Sequence, residues 1–169
     1  MLGLTPLGIV HTAVSLVAVV SGLWVLVRDK EISTRSPLGR SYLVATALTA
    51  ATGLGIFQHG GFGPPHALSI LTLLALGVGA VAEFTGGLGR WSRYVQAISY
   101  SATMLFHMIP GFTESLTRLP PGRPLLASAE APELKPIAGA LVLLFLVGLA
   151  FQLRRLRSKT PKLPVPASA

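Results

Sequence analysis

The sequence predicts an all-α integral membrane protein, a bundle of five transmembrane helices. Three observations carry that expectation. Of 169 residues, 51% are hydrophobic and only 12% charged, whereas a water-soluble domain carries about 25% charged residues. Mean hydropathy is +0.64. The apolar residues also gather into five stretches of the length needed to cross the hydrocarbon core, about 20 residues within a range of roughly 17–25. This balance excludes a disordered chain, a coiled coil and an ordinary soluble enzyme.

The first span is expected over Leu7 to Val27. MLGLTPL before it lacks the basic n-region and small-residue cleavage site of a secretory signal, and reads as the outer start of an uncleaved helix. The second runs from Leu38 to Phe57, with Ser36 as N-cap and Pro37 at the first helical position. The third, His66 to Phe84, follows Pro64-Pro65; the fourth, Trp91 to Ile109, is the most polar and is expected to stop at Pro110-Gly111. Residues 110–136 form a long Pro-rich outer loop with short amphipathic turns such as TESLTRL. The fifth span, Ile137 to Leu153, is almost purely aliphatic, so it faces lipid or another protein. Residues 154–169 form a basic, Pro-rich cytoplasmic tail, disordered beyond Lys159.

Orientation follows from the Lys/Arg bias. Arg28, Lys30, Arg35 and Arg40 lie in the first connection, Arg90 and Arg93 in the third, and Arg154, Arg155, Arg157, Lys159 and Lys162 in the tail, while only Arg118, Arg123 and Lys135 fall on the other side. The N-terminus is therefore placed outside and the C-terminus in the cytoplasm of a bacterial inner membrane. Trp24, Tyr42, Trp91 and Tyr94 would form the cytoplasmic aromatic belt. The formal charge of +8 is explained by this topology and by contact with anionic lipid in the tail. It does not imply nucleic acid, because no basic face with interleaved aromatics is formed.

There are no cysteines, so disulfides, iron–sulfur clusters and thiolate chemistry are excluded. The residues that could carry chemistry are the four histidines. His11, His59, His66 and His107 all fall toward the outer ends of their helices on this topology. Helical steps put them on polar or small-residue stripes: Gly8-His11-Ser15-Ala18-Gly22, Ala45-Thr49-Thr52-Ile56-His59, His66-Ser69-Leu73-Leu76-Ala80-Glu83, and Arg93-Gln96-Tyr100-Thr103-His107. Such stripes mark helix–helix seams in lipid. Neutral imidazole suits haem iron, copper and zinc, and Met104, one turn from His107, could add a soft ligand for copper. Met108 points about 100° away, toward lipid or a neighbour. The structural reading is that each histidine is hydrogen-bonded to a Ser or Thr of the next helix, or to interfacial water for His59 and His66. Gly53, Gly55, Gly77 and Gly79 are expected to permit close packing, and Glu83 to pair with Arg90 or Arg93. The one aspartate, Asp29, lies on the opposite side from every histidine, so no Ser–His–Asp arrangement forms.

The stretch RSPLGRSYLVATALTAATGL, with Arg35, Gly39, Arg40 and Tyr42, and the later RWSRYVQAISYS, with Arg90, Trp91, Arg93 and Tyr94, resembles an uncharacterised bacterial family of multi-helix membrane proteins. The resemblance covers residues 7–110. The sequence departs from it in Arg35, where His is common, and in the outer loop and final helix. Such families are similar in architecture to small four-helix cytochrome b bundles, which implies the bundle and leans toward haem, with no catalytic residue carried over.

Two functions follow. One is a module holding a b-type haem, or a copper or zinc ion, near the outer face through His11 and His107, with His59 and His66 as alternatives, in an electron-transfer or quinol-linked role. Because no histidine lies in the inner leaflet, electrons would be handled only on the outer side. The other is a non-catalytic accessory or assembly subunit of a larger membrane complex, with structural histidines. A transporter fits least, since inverted repeats and broken mid-membrane helices are missing.

Overall fold

The structure, a computed structural model, describes residues 5–57 and 61–158. His59, the first four residues, and the tail from Lys159 expected to be disordered lie outside the described residues. The described residues form five α-helices: α1 Pro6–Arg28, α2 Pro37–Gly53, α3 Pro64–Thr85, α4 Ser92–Arg118 and α5 Leu134–Ser158. A 3-10 turn at Gly89–Trp91 precedes α4, and the described residues contain no strand. The fold is all-helical. Three helices, α1, α3 and α5, are long and apolar enough to cross a membrane.

Local chemistry sets most of the boundaries. Thr5 caps α1 by accepting from the Gly8 N–H at 3.1 Å, and Ser36 caps α2 by accepting from the Gly39 N–H at 3.0 Å. Each is followed by a proline, which has no N–H to leave orphaned in the first turn. α3 ends at Gly86, whose φ of 59° is the left-handed conformation that closes a helix without Cβ strain. α2 has 17 residues and stops at Gly53 rather than Phe57, giving it a length of roughly 25 Å.

The fourth helix departs most from the expectation. It does not stop at Ile109 but continues through Pro110 to Arg118. A proline in a helix forfeits one backbone bond and crowds the carbonyl a turn earlier. Here the next turns are held by side chains: Thr113 Oγ1 donates to the Ile109 carbonyl at 3.0 Å and Thr117 Oγ1 to the Thr113 carbonyl at 2.8 Å, while Arg118 pairs with Glu114. The TESLTRL segment is the end of this helix, and the connection to α5 shortens to residues 119–133.

Each helix packs on its sequence neighbour, and α4 also touches α1. The first four helices thus close a bundle, with α5 added against α4. Many large apolar side chains lie on the outside of the bundle and small or polar ones inside it. Tyr42, Tyr100, Ile32 and Val25 fill the centre, and Thr46 and Thr103 are fully buried. Trp24, Val27, Leu144 and Phe151 point outward. Tails as apolar as leucine give helices no reason to bury leucine, so small and polar residues take the seams. Gly79 lets the Tyr100 ring lie on α3, where a Cβ would stand 2.3 Å from Cε1. Gly77, by contrast, has nothing within 4 Å and serves no close contact.

Tyr42 is not part of an interfacial belt. It is 0% exposed, because a Cβ-less Gly22 on α1 makes room for its ring and Thr103 takes its hydroxyl at 2.6 Å. Trp24 and Trp91 do face outward.

At the basic end a polar lattice ties the helices together. Glu83 does not pair with Arg90 or Arg93. Its Oε1 accepts from Ser33 Oγ at 2.5 Å and the Thr34 N–H at 2.9 Å, and its Oε2 from the Tyr100 hydroxyl at 3.1 Å. Arg93 lies 3.9 Å from Glu31, and Arg90 sits over the Trp91 ring. Arg28 grips Asp29 at 2.6 and 2.8 Å, and this hydrogen-bonded guanidinium holds the Asp29 carboxyl below the usual carboxylate range. Gln152 is buried near the C-terminal end of α5, just past its apolar stretch. It accepts from Ser101 Oγ at 2.8 Å and donates to the Lys30 carbonyl at 3.0 Å. Gln152→Leu removes both bonds and strands a buried hydroxyl, so it is expected to lower stability by about 1–2 kcal/mol in a detergent denaturation titration. An unchanged midpoint would mean that α5 docks by apolar contact alone.

Candidate functional site

The three described histidines sit on α1, α3 and α4, and each is engaged by a neighbouring polar group. His11 Nδ1 meets Thr52 Oγ1 of α2 at 3.1 Å. Thr52 donates its own hydroxyl proton to the Leu48 carbonyl at 2.8 Å, so the imidazole is the donor and its proton sits on Nδ1. Ser15, one turn along α1, donates to the His11 carbonyl at 2.8 Å and reaches Thr49 at 3.4 Å. Gly53 makes the approach feasible: a Cβ there would lie 3.3 Å from His11 Cε1 and 2.6 Å from Ser69 Oγ of α3.

His66 opens α3 and is 4% exposed. Its Nδ1 accepts from the Gly63 N–H at 3.2 Å, which places the ring proton on Nε2. That Nε2 is buried with no hydrogen-bond partner among the described residues. The ring lies against Phe57 and Phe62, with centroids 4.5 and 5.3 Å away. His11 and His66 therefore have opposite tautomers, one leaving Nε2 as an acceptor and the other as a donor.

His107 is buried and its Nε2 meets Thr46 Oγ1 at 3.0 Å. The Tyr42 ring packs edge-on beside it, with centroids 6.2 Å apart. Tyr42 donates onward to Thr103, which in turn donates to the Tyr100 carbonyl at 2.7 Å. Because α4 continues past Pro110, His107 lies eleven residues from its end and opposite the middle of α2, not one turn from the end of its helix. Thr46 and Thr52 are six residues apart on one helix, roughly 9 Å along its axis. Two imidazoles sharing a zinc ion bring their nitrogens within about 4 Å. The structure thus holds His11 and His107 at different depths as long as both threonine bonds are kept.

Met104 lies in the core, its sulfur 3.2 Å from where a Gly22 Cβ would stand. It packs against α1 and Tyr42. Met108 also packs against the core. Among the described residues no group of three His, Cys, Asp or Glu side chains is arranged to hold a metal ion. The stripes on α1 and α4 meet inside the bundle as spaced, except that Arg93 is exposed; on α3 the buried face runs through His66, Ser69, Thr72, Gly79 and Ala82.

Two residues central to this arrangement were not among the sequence candidates. Thr46 lies beside the α2 stripe of Ala45 and Thr49, and its spacing of three from Thr49 was the available signal. Gln152 was visible as the one amide in an aliphatic helix.

Fold and site together define an all-helical protein, three of whose helices can cross a membrane, with a threonine- and histidine-lined interior. No protein-family model matches the chain, and no curated protein or solved structure matches it.

Proposed function

We propose that the chain is a multi-pass protein of a bacterial cytoplasmic membrane, working as a non-catalytic accessory or assembly subunit of a larger membrane complex. All five helices span in this reading, with the N-terminus outside. α2 and α4 fall short in hydropathy because their polar residues, among them Thr46, Thr49, Tyr100, Thr103 and His107, are turned into the bundle. The connections bearing Arg28, Lys30, Arg35 and Arg93 meet the C-terminal turns of α5 at one end, through Gln152 and Lys30, which supports placing that end in the cytoplasm. The observation that carries the accessory role is the pairing of His11 with Thr52 and His107 with Thr46. Those bonds satisfy polar groups within helix seams, where each contributes about 0.6 kcal/mol on average in membrane proteins. They use the imidazoles as ties between helices at separate depths.

A second reading has its own support in the outer corner of α1, α2 and α3. The acceptor Nε2 of His11, the hydroxyl of Ser69 and the donor Nε2–H of His66 suit a quinone or quinol headgroup. The same histidines are the available nitrogens for a haem b, copper or zinc near the outer face.

The two readings separate on purification in mild detergent. The accessory role is expected to give a colourless preparation without stoichiometric copper, zinc or haem iron, and a second membrane chain in fixed proportion. A Soret band, or one metal ion per chain, lost in His11→Ala or His66→Ala and kept in a chain truncated after Leu156, overturns it in favour of the second.

A further inference from the structure

The basic end carries a pocket that the helix ties do not account for. A cavity of about 30 Å³ lies between the α1–α2 connection and the first turns of α4, lined by Glu31, Ile32, Ser33, Arg35, Arg93 and Gln96. A single water needs about 10–15 Å³, so the space admits only a small polar group at its mouth. Its charged lining is two arginines, Arg35 and Arg93, against one carboxylate, Glu31. Arg35 makes no ion pair among the described residues, and Arg93 reaches Glu31 only at 3.9 Å, with 54% of its side chain exposed. Gln96 Nε2 is already bonded to the Ile32 carbonyl at 3.2 Å, which fixes one wall. Ser33, bonded to Glu83, fixes the other. Arg35 and Arg93 both line this opening between rigid elements, and neighbouring guanidiniums can hold a phosphate through paired N–H donors.

The surroundings select the source of that phosphate. Arg28, Lys30, Arg40, Arg90, Arg154, Arg155 and Arg157 lie toward the same end, against the carboxylates of Asp29, Glu31 and Glu83 among the described residues. Trp24 and Trp91, 62% and 58% exposed, point outward beside it, and outward tryptophans mark the headgroup level. α4 also begins there without a side-chain cap, so its positive dipole end adds to the field. A basic pocket between helices at this depth is where anionic headgroups are held.

We propose that the Arg35–Arg93 pocket binds the phosphate of an anionic phospholipid.

The test uses the full chain in phosphatidylcholine nanodiscs, titrated with phosphatidylglycerol or, in a separate arm, with inorganic phosphate at matched ionic strength. Retained lipid is read by native mass spectrometry and stability by the thermal midpoint. Phosphatidylglycerol is expected to be retained and to raise the midpoint. Arg35→Gln with Arg93→Gln is expected to weaken retention about thirtyfold. Arg154→Gln with Arg155→Gln, which removes the same charge from α5, is expected to retain lipid as the parent does. The arginine variants' midpoints in pure phosphatidylcholine confirm that they fold. Equal loss in both double variants overturns the pocket in favour of diffuse surface charge. A midpoint raised by inorganic phosphate and indifferent to phosphatidylglycerol overturns lipid as the ligand.

Discussion

Glu83→Ala is expected to destabilise the bundle by about 3–4 kcal/mol, one of the two largest effects of any single substitution here. The carboxylate is the shared acceptor for Ser33 of the first connection, the Thr34 backbone and Tyr100 of α4. Hydrogen bonds to a charged group contribute about 1.5–3 kcal/mol each, and a buried donor stripped of its acceptor costs about 1–3 kcal/mol. Ser33 is 8% exposed and Tyr100 1%, so water replaces the lost acceptor poorly. Solvent reaching the partly exposed Glu83 keeps the total below the simple sum. Glu83→Gln keeps an oxygen for Ser33 and Thr34 while its amide turns a donor toward Tyr100, whose hydroxyl can accept. It is expected to cost about 1 kcal/mol. Denaturation in detergent, followed by far-UV circular dichroism, ranks the two. A Glu83→Ala midpoint equal to that of the parent would mean that the connection is held by its own turn and not by α3.

How much of this was legible in the sequence depends on what each element answers to. The helices α1, α3 and α5 are legible because crossing a membrane is a demand on length and hydropathy, both of which are additive along the chain. The start of α2 is legible because Ser36-Pro37 acts locally, through one side-chain bond and one missing N–H. The end of α4 is not. Pro110 reads as a stop only if nothing else holds the next turns, and the Thr113, Thr117 and Glu114–Arg118 contacts become visible only once the helix is granted. A stop at Pro110 puts His107 next to a helix end, whereas the continued helix puts it opposite the middle of α2. The inward stripes were readable at the 3–4 spacing, yet spacing gives direction without depth. The pairing of His107 with Thr46, rather than with His11, is a matter of depth. Tyr42 shows the same limit. Its place near a helix end suggests the interface, while its burial follows from Gly22 being on another helix. Glu83 shows it again: charge alone points to Arg90 or Arg93, whereas its partners are the neutral donors Ser33, Thr34 and Tyr100 brought in by the fold.

Gly39→Ala is the other large effect, and it comes from adding a single methyl group. Gly39 stands in the first turn of α2 beneath the first connection, and a Cβ there would lie 2.0 Å from the Ser33 carbonyl oxygen and 3.0 Å from its carbon. No side-chain rotation relieves this, since the obstructing atoms are backbone. That carbonyl also accepts the Ser36 N–H, at 3.4 Å. Either the connection lifts or the helix start shifts, and both routes pull Ser33 and Thr34 off Glu83. Overpacking costs about 1–3 kcal/mol where side chains can adjust. With the Glu83 bonds lost as well, about 3 kcal/mol or more is expected. Gly77→Ala, which places its methyl where nothing lies within 4 Å, is expected to stay within about 0.5 kcal/mol of the parent. The pair separates a steric demand from a general cost of losing glycine in a membrane helix. Combining Gly39→Ala with Glu83→Ala sharpens it further. Both act on the same few residues of the connection, so the double variant is expected to lose clearly less than the two single losses added together. Full additivity would show that the crowding at Gly39 is absorbed within α2 and never reaches the Glu83 contacts.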